Sequence, residues 1–494
     1  MRKKVIVVGG GIAGLSAGVY AQRCGFDVTI LESHSIAGGN CTSWKRGGYL
    51  FEGGMHWLTG SDKNEPLNKS WRWVGALDDS VEIHYPEPFM EYDHAGVPVR
   101  IYRNAEDTEN HLIALSPSDE KEIKKLIKSF RKIQNLSMPI TDLRGVRVTK
   151  KNRPPLSMLF SALSAAQLMR TFSNISREQY INRFSHEGIR GMLRSCTTEK
   201  NGVLPLFFTM GTLARGDGGF PEGGSLPFAS RIVKTFQGLG GEIRYNTRAD
   251  RVVMKDGKAT GVVTGSETLP ADAVIVTADT MAIDHLFEVP LKSRWLDEMR
   301  SSAEPTMCVL ISLGINADLK EYPRGYVIKL GTPIKLAEQA HEFLSINNYA
   351  TDPVYSPEGK TAITTSLPGD TYDFWKAAKE EGRYKEEKER IASEVIAAIT
   401  AHLPEVDGKV EVVDIATPLT YERYCANWKG SWMTEMTPSM KMKTYPPVID
   451  GLSGVYFAGH RMMPPGGLPV ALMSGRSAIQ YLCRDTDTLF ISEE

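Results

Sequence analysis

Residues 5 to 32 read as strand, glycine turn, helix and strand, an order that leaves few folds open to this chain. Val5-Ile6-Val7-Val8 is a short apolar run rich in β-branched residues, the mark of a buried parallel strand. Gly9-Gly10-Gly11-Ile12-Ala13-Gly14 follows at once with G-x-G-x-x-G spacing, and a helical pattern carrying Gly18 comes next. The second strand, Asp27-Val28-Thr29-Ile30-Leu31, ends in Glu32. Gly9 allows the tight turn, Gly11 lets the backbone approach a pyrophosphate, and Gly14 and Gly18 let the helix lie close to the sheet. The helix N-terminus at Ile12 and Ala13 attracts phosphate. Glu32, with Ser33 beside it, is placed to take the hydroxyls of an adenosine ribose. This predicts an α/β fold with a Rossmann-like dinucleotide-binding domain.

Ala37-Gly38-Gly39-Asn40 comes soon after Glu32, and Gly48-Tyr49-Leu50-Phe51-Glu52-Gly53-Gly54 begins another strand. Nicotinamide dehydrogenases usually pass from the second strand into a plain crossover. The paired glycines here resemble the flavoprotein fold of the amine-oxidase and phytoene-desaturase superfamily. That resemblance implies FAD, with Gly38, Gly39 and Asn40 running close to its flavin end. Most members place an arginine where this chain has Asn40, which counts against amine-oxidase chemistry but not against FAD.

Two further blocks carry the same resemblance. Gly454-Val455-Tyr456-Phe457-Ala458-Gly459 reads as a buried strand, His460 to Pro465 as a turn, and Gly466-Gly467-Leu468-Pro469-Val470-Ala471 as the entry to a helix running to about Tyr481. This is similar to the superfamily's C-terminal FAD motif, which implies cofactor contacts from Gly459, His460, Gly467, Leu468, Pro469 and Val470. A positive helix end there would stabilise an anionic reduced flavin. In mid-chain, Pro221-Glu222-Gly223-Gly224 precedes a helix, then Gly240-Gly241-Glu242-Ile243-Arg244-Tyr245-Asn246 and Ala249-Asp250-Arg251-Val252-Val253. That order resembles the phytoene desaturase, carotenoid isomerase and retinol saturase group, in which the Val252–Val253 position meets the adenine through its backbone. Ala271 to Ala278 is the strand returning to the FAD domain.

The FAD domain is accordingly expected to be discontinuous, from residues 1–75, 218–285 and 446–494. A mixed α+β substrate domain would take 76–217 and 286–445. Within it, Ile391, Val395, Ile399 and Leu403 form one apolar stripe on a helix that Pro404 ends. Arg144, Arg147, Lys150, Lys151 and Arg153 crowd a basic loop before the apolar stretch Leu156 to Met169. That pairing fits docking on an anionic membrane, and equally a buried helix beside a solvated loop.

Lysine plus arginine number 58 against 59 aspartate plus glutamate, and a net charge of −1 argues against a nucleic-acid protein. The six cysteines are scattered without C-x-x-C pairs, which suits reduced thiols and predicts neither a disulfide framework nor a metal site. Met1-Arg2-Lys3-Lys4 before an apolar run mimics a signal peptide, but cleavage would remove the phosphate-binding turn. The expected location is cytoplasmic, with peripheral contact on the inner membrane face as the alternative to a freely soluble enzyme.

No Ser-His-Asp set, metal cluster or H-E-x-x-H motif is present, so the chemistry falls to the flavin and to a residue that moves a proton. His56, in Gly53-Gly54-Met55-His56-Trp57-Leu58, is the candidate. It either exchanges a proton with substrate or is bonded to cofactor or backbone without such a role. Its setting resembles the "G-x-H-aromatic" of retinol saturases and tilts the reading toward saturation. His460 and Arg461 either meet FAD or form a turn. Tyr421 to Tyr424, Trp428 and Trp432 wall an apolar pocket or pack between domains. With one Rossmann fingerprint, a separate electron donor or acceptor fits as well as a redox-neutral reaction. The resemblance implies an FAD-dependent oxidoreductase acting on carbon–carbon double bonds of a long apolar isoprenoid, by saturation, desaturation or cis–trans isomerisation. The competing readings are an amine or amino-acid oxidase, and a flavin-binding membrane-associated protein without turnover.

Overall fold

The computed structural model describes residues 2–152 and 156–493, with the side chains of 156–160 outside that description. Five parallel strands form the first sheet, in the order Val455–Phe457, Ala273–Val276, Lys4–Val8, Asp27–Leu31, Glu242–Arg244. Strands distant in sequence thus end side by side at one carboxyl edge, the place where open α/β sheets bind ligands. The apolar run Val5 to Val8 fills both faces. Val5 and Val7 pack with Val28, Ile30 and the helices Ile12–Arg23, Ser225–Gly238 and Leu468–Asp485. Ile6 and Val8 pack with Val252, Val274, Val276 and Leu296 on the other face. There the antiparallel strands Arg251–Lys255, Lys258–Thr264 and Glu267–Pro270 cover the sheet.

The close approach expected at the glycines is present. A β-carbon on Gly14 would stand 2.0 Å from the Gly9 carbonyl oxygen, and one on Gly18 would stand 2.9 Å from the Phe236 ring. The helices Ile12–Arg23 and Leu468–Asp485 touch at Gly475, where a β-carbon would meet Ala13 O at 2.5 Å.

The second sheet has seven strands, in the order Val410–Ala416, Cys308–Ile315, Thr361–Pro368, Gln339–Asn348, Gly325–Leu336, Met90–His94, Val97–Ile101. Helix Tyr384–His402 buries Ile391, Val395 and Ile399 against it, so the predicted stripe is core. The helices Glu120–Gln134, Glu187–Ser195 and Leu204–Ala214 share another core with Tyr92, Val99 and Val327.

The basic segment is partly accounted for. Arg153, Pro154 and Pro155 lie outside the described residues. Helix Leu156–Phe172 buries Ala165 and Leu168 in the second domain's core but leaves Leu163 62% exposed. Arg147 pairs with Asp487 at 3.1 Å, and Lys150 N donates to Ser492 Oγ at 3.0 Å, so the loop leans on the C-terminal tail. Among the described residues no helix is long and apolar enough to cross a membrane.

Candidate active site

A cavity of about 1400 Å³ opens at the carboxyl edge of the parallel sheet and runs between the two sheets' domains. It exceeds the roughly 300–1,000 Å³ of a usual single-ligand site. Its first part is built from backbone. The helix Ile12–Arg23 begins at Gly11 and the helix Leu468–Asp485 at Gly467, and neither has a side-chain cap. Ile12, Ala13, Leu468 and Pro469 line the cavity, so two uncapped helix N-termini open onto it, with the free N–H groups of Ile12, Ala13 and Leu468 among their first donors; Pro469 has none to give. A β-carbon at Gly11 would meet nothing nearer than Gly39 Cα at 3.9 Å, so this glycine borders open space rather than packed atoms. Glu32 closes that end. Its Oε2 accepts from Gly10 N at 2.7 Å and its Oε1 from His34 N at 2.7 Å. This donor set fits a dinucleotide diphosphate: positive helix ends at the middle and a carboxylate at the ribose end.

Gly38 has φ +131 and Gly39 φ +59. A β-carbon on Gly54 would stand 2.1 Å from Asn40 O, so residues 40 and 54 pass in contact. Asn40 Oδ1 accepts from Asn427 Nδ2 at 2.8 Å.

His56 sits on a loop held from below by Glu52, which is fully buried. Glu52 Oε1 accepts from Gly54 N at 2.9 Å and Met55 N at 3.0 Å, while Oε2 accepts from Ser225 N at 2.9 Å and Tyr355 OH at 3.3 Å. The His56 ring meets Trp432 edge-on at 6.4 Å, and its buried Nδ1 has no partner. Burial pushes the His56 pKa down; Glu52 opposes this and Arg324 adds to it. His56 is therefore a neutral imidazole at neutral pH.

Past the strand Val455–Phe457, Arg461 is 2% exposed and pairs with buried Asp279, Nε to Oδ1 at 2.9 Å. Its other nitrogens donate to Met433 O at 3.0 Å, Thr434 Oγ1 at 3.1 Å and Ser431 Oγ at 2.5 Å. Asp279 also accepts from Trp428 N at 3.0 Å. Burial alone would raise the Asp279 carboxyl; the Arg461 guanidinium overcomes it and holds the pKa below the usual range. His460 is pushed down to about 4, by burial first and Arg461 second, against the pull of Asp279. Its Nε2 is buried and unpartnered.

Gly9, Gly11, Ile12, Ala13, Glu32, Ser33, Gly38, Gly39, Asn40, His56, Gly459, His460, Gly467, Leu468 and Pro469 all line the cavity. Gly14, Val252, Val253 and Val470 do not. Gly14 is the packing point against Gly9, and Val470 points into the core. Val252 is 1% exposed and pairs with Val262 inside the antiparallel strands. Arg248 and Ala249 take the cavity position instead, a shift of a few residues toward Asn246. Asp279, Glu52 and Asn427 were missed. Tyr421, Tyr424, Trp428 and Trp432 do line the cavity, and Tyr421 OH donates to Gly53 O at 3.3 Å. Among the described residues no group of His, Cys, Asp and Glu could hold a metal ion.

This combination defines an FAD-dependent oxidoreductase. Residues 12–483 match the flavin containing amine oxidoreductases, and the chain belongs to that family. It is 23% identical to all-trans-retinol 13,14-reductase of Danio rerio, over 86% of this chain and 76% of that protein. It is 23% identical to the chloroplastic prolycopene isomerase of Daucus carota, over 95% and 78%. Phytoene desaturase (neurosporene-forming) of Rhodobacter capsulatus is 22% identical over 97% and 94%. Among solved structures, cyclohexylamine oxidase from Brevibacterium oxydans superposes with a TM-score of 0.64 at 13% identity, covering 99% of this chain and 100% of that one. That likeness speaks for the fold alone.

Gly11→Val should give a folded protein that retains no FAD, because its side chain enters the space the diphosphate needs. Gly14→Val should instead lower the melting temperature, since it collides with the Gly9 carbonyl. Purified Gly11→Val carrying a full flavin spectrum would contradict the assignment. Stability should also fall in mild acid. His460 has a folded pKa of about 4, against roughly 6.5 unfolded. Its contribution is complete above about pH 6.5 and is lost as pH falls toward 4. Melting temperatures measured across that range should drop, and His460→Gln should flatten the drop; identical profiles would remove His460 as a cause.

Proposed function

We propose that this enzyme moves hydrogen at a carbon–carbon double bond of a long apolar isoprenoid. The observation that carries the reading is the cavity wall beyond the cofactor residues: Trp57, Phe208, Trp428, Trp432, Met433 and Met436. Aromatic and thioether side chains suit an apolar polyene. The names of the retinol reductase, the prolycopene isomerase and the phytoene desaturase support the same substrate class. Among the described residues the three carboxylates lining the cavity are engaged, so none stands free as a counter-charge for an ammonium. Glu32 takes backbone amides, Asp279 takes Arg461, and Glu422 accepts from Tyr372 OH at 2.7 Å.

Bound FAD supplies two-electron exchange with a substrate carbon. Glycine-rich backbone and the two helix ends would hold the cofactor, with the aromatic side chains walling the rest of the cavity. His56, neutral in its buried setting, takes a proton from the carbon beside the reacting one. That role suits proton removal, and thus desaturation or isomerisation, better than the saturation to which the sequence context tilts. The exposed Arg144, Lys150 and Lys151 beside helix Leu156–Phe172 support peripheral docking on an anionic bilayer.

Anaerobic incubation of oxidised and reduced enzyme with retinoid and carotenoid polyenes should yield products shifted by two hydrogens or isomers of unchanged mass. Peroxide released on amines, with polyenes untouched, would contradict the reading. His56→Ala should keep FAD and lose about 10²–10⁴-fold in turnover, the usual worth of a general base; wild-type turnover would exclude it. Wild-type protein should sediment with anionic vesicles at low salt and be released by added salt, with each basic residue contributing about 1 kcal/mol. Protein that stays in the supernatant at low salt would rule out docking.

A further inference from the structure

Among the described residues, three buried polar side-chain atoms on residues that line the cavity have no hydrogen-bond partner: His56 Nδ1, His460 Nε2 and Thr197 Oγ1. The two histidines belong to the cofactor-lined part. Thr197 lies elsewhere, just past the helix Glu187–Ser195 and among Cys196, Pro205, Phe208 and Met436 of the cavity wall. It connects to the site through the segment after Trp432, since neighbouring Thr198 Oγ1 donates to Glu435 Oε2 at 2.5 Å.

The backbone around Thr197 is held in place. Arg177 Nη1 donates to Thr197 O at 2.8 Å and to Arg194 O at 3.2 Å, and Arg177 Nη2 pairs with Glu178 at 2.8 Å. The neighbouring polar groups are committed: Thr198 to Glu435, Asn201 Oδ1 to Met436 N at 2.8 Å, and Cys196 Sγ to Met192 O at 3.3 Å. Of these groups only the Thr197 hydroxyl is both buried and without a partner. A buried polar group is normally satisfied, and one left unmet after a ligand enters weakens binding of that ligand. A pure hydrocarbon would leave it unmet.

We propose that Thr197 receives a hydrogen-bonding oxygen at one end of the substrate, which makes the substrate an oxygenated polyene, an alcohol or carbonyl compound, rather than a hydrocarbon. This rests on the isoprenoid reading above and narrows it. The hydroxyl serves as donor or acceptor, so it recognises an alcohol or an aldehyde end. The aromatic and methionine wall takes the chain, and Thr197 fixes which end enters.

The test is binding to the oxidised holoenzyme without oxygen, followed by polyene fluorescence, for two probes. One is all-trans-retinol and the other is the hydrocarbon of the same skeleton lacking the hydroxyl. Wild-type enzyme should bind the alcohol roughly three- to tenfold more tightly, the value of one neutral hydrogen bond. Thr197→Val should abolish that preference and Thr197→Ser should keep it, each with full FAD content. Equal affinity in wild type, as when a water satisfies the threonine, would overturn the proposal, as would a preference that survives Thr197→Val. If neither probe binds, the isoprenoid reading fails and this inference fails with it; if both bind equally, only this inference fails.

Discussion

The buried ion pair between Asp279 and Arg461 is the junction on which the site depends. Asp279 follows the strand Ala273–Val276, and Arg461 follows its neighbour at the sheet edge, Val455–Phe457. Through Ser431, Met433, Thr434 and Trp428 the same pair fixes the loop that brings Trp428 and Trp432 to the cavity. The segments at Asp279, at Trp428 to Thr434 and at Arg461 are thereby locked at one point. A buried pair is weak evidence for net stability, but removing one partner leaves a buried charge and costs about 3–5 kcal/mol. The arrangement therefore behaves as a unit: the cofactor's carboxyl-edge site and the aromatic wall stand or fall together.

A second junction lies under His56. Glu52 ties the loop Gly53–Leu58 to the turn before the helix Ser225–Gly238, and the positive φ of Gly224 (+69) leaves room for the carboxylate. A β-carbon on Gly224 would stand 2.1 Å from Glu52 Oε2. The glycines of this motif thus serve a protein carboxylate, whereas Gly11 borders the cofactor space.

The fold was legible because its signals are local. Strand Val5–Val8, the glycine turn and the C-terminal strand–helix unit announce themselves within a few residues each, through apolar runs, glycine spacing and β-branched content. Gly9, Gly11, Gly459, Gly467 and the two helix ends that line the cavity lie in those units. What the sequence hid is long-range. Nothing near Asp279 marks its partner 182 residues away, nor does Asn40 point to Asn427. Arg248 and Ala249, ahead of the strand Arg251–Lys255, line the cavity while Val252 turns into the core; the resemblance that put Val252 and Val253 at the adenine carries no mark of that local offset. Glu52 was half within reach: an acidic residue closing a buried strand before paired glycines needs hydrogen-bond partners, and the adjacent amides of Gly54 and Met55 supply two, while Ser225 and Tyr355 come from far along the chain.

The site combines a positively biased cofactor cradle, two neutral histidines and an apolar wall whose carboxylates are already engaged. Those features are what the proposed reading, electron exchange with an apolar chain, rests on. The most direct measurement is the flavin's own absorbance, followed in the stopped-flow without oxygen. The account predicts that polyenes change the flavin's redox state or perturb its band while amines leave it untouched. Reduction by amines, with polyenes silent in both the oxidised and the reduced enzyme, would contradict it.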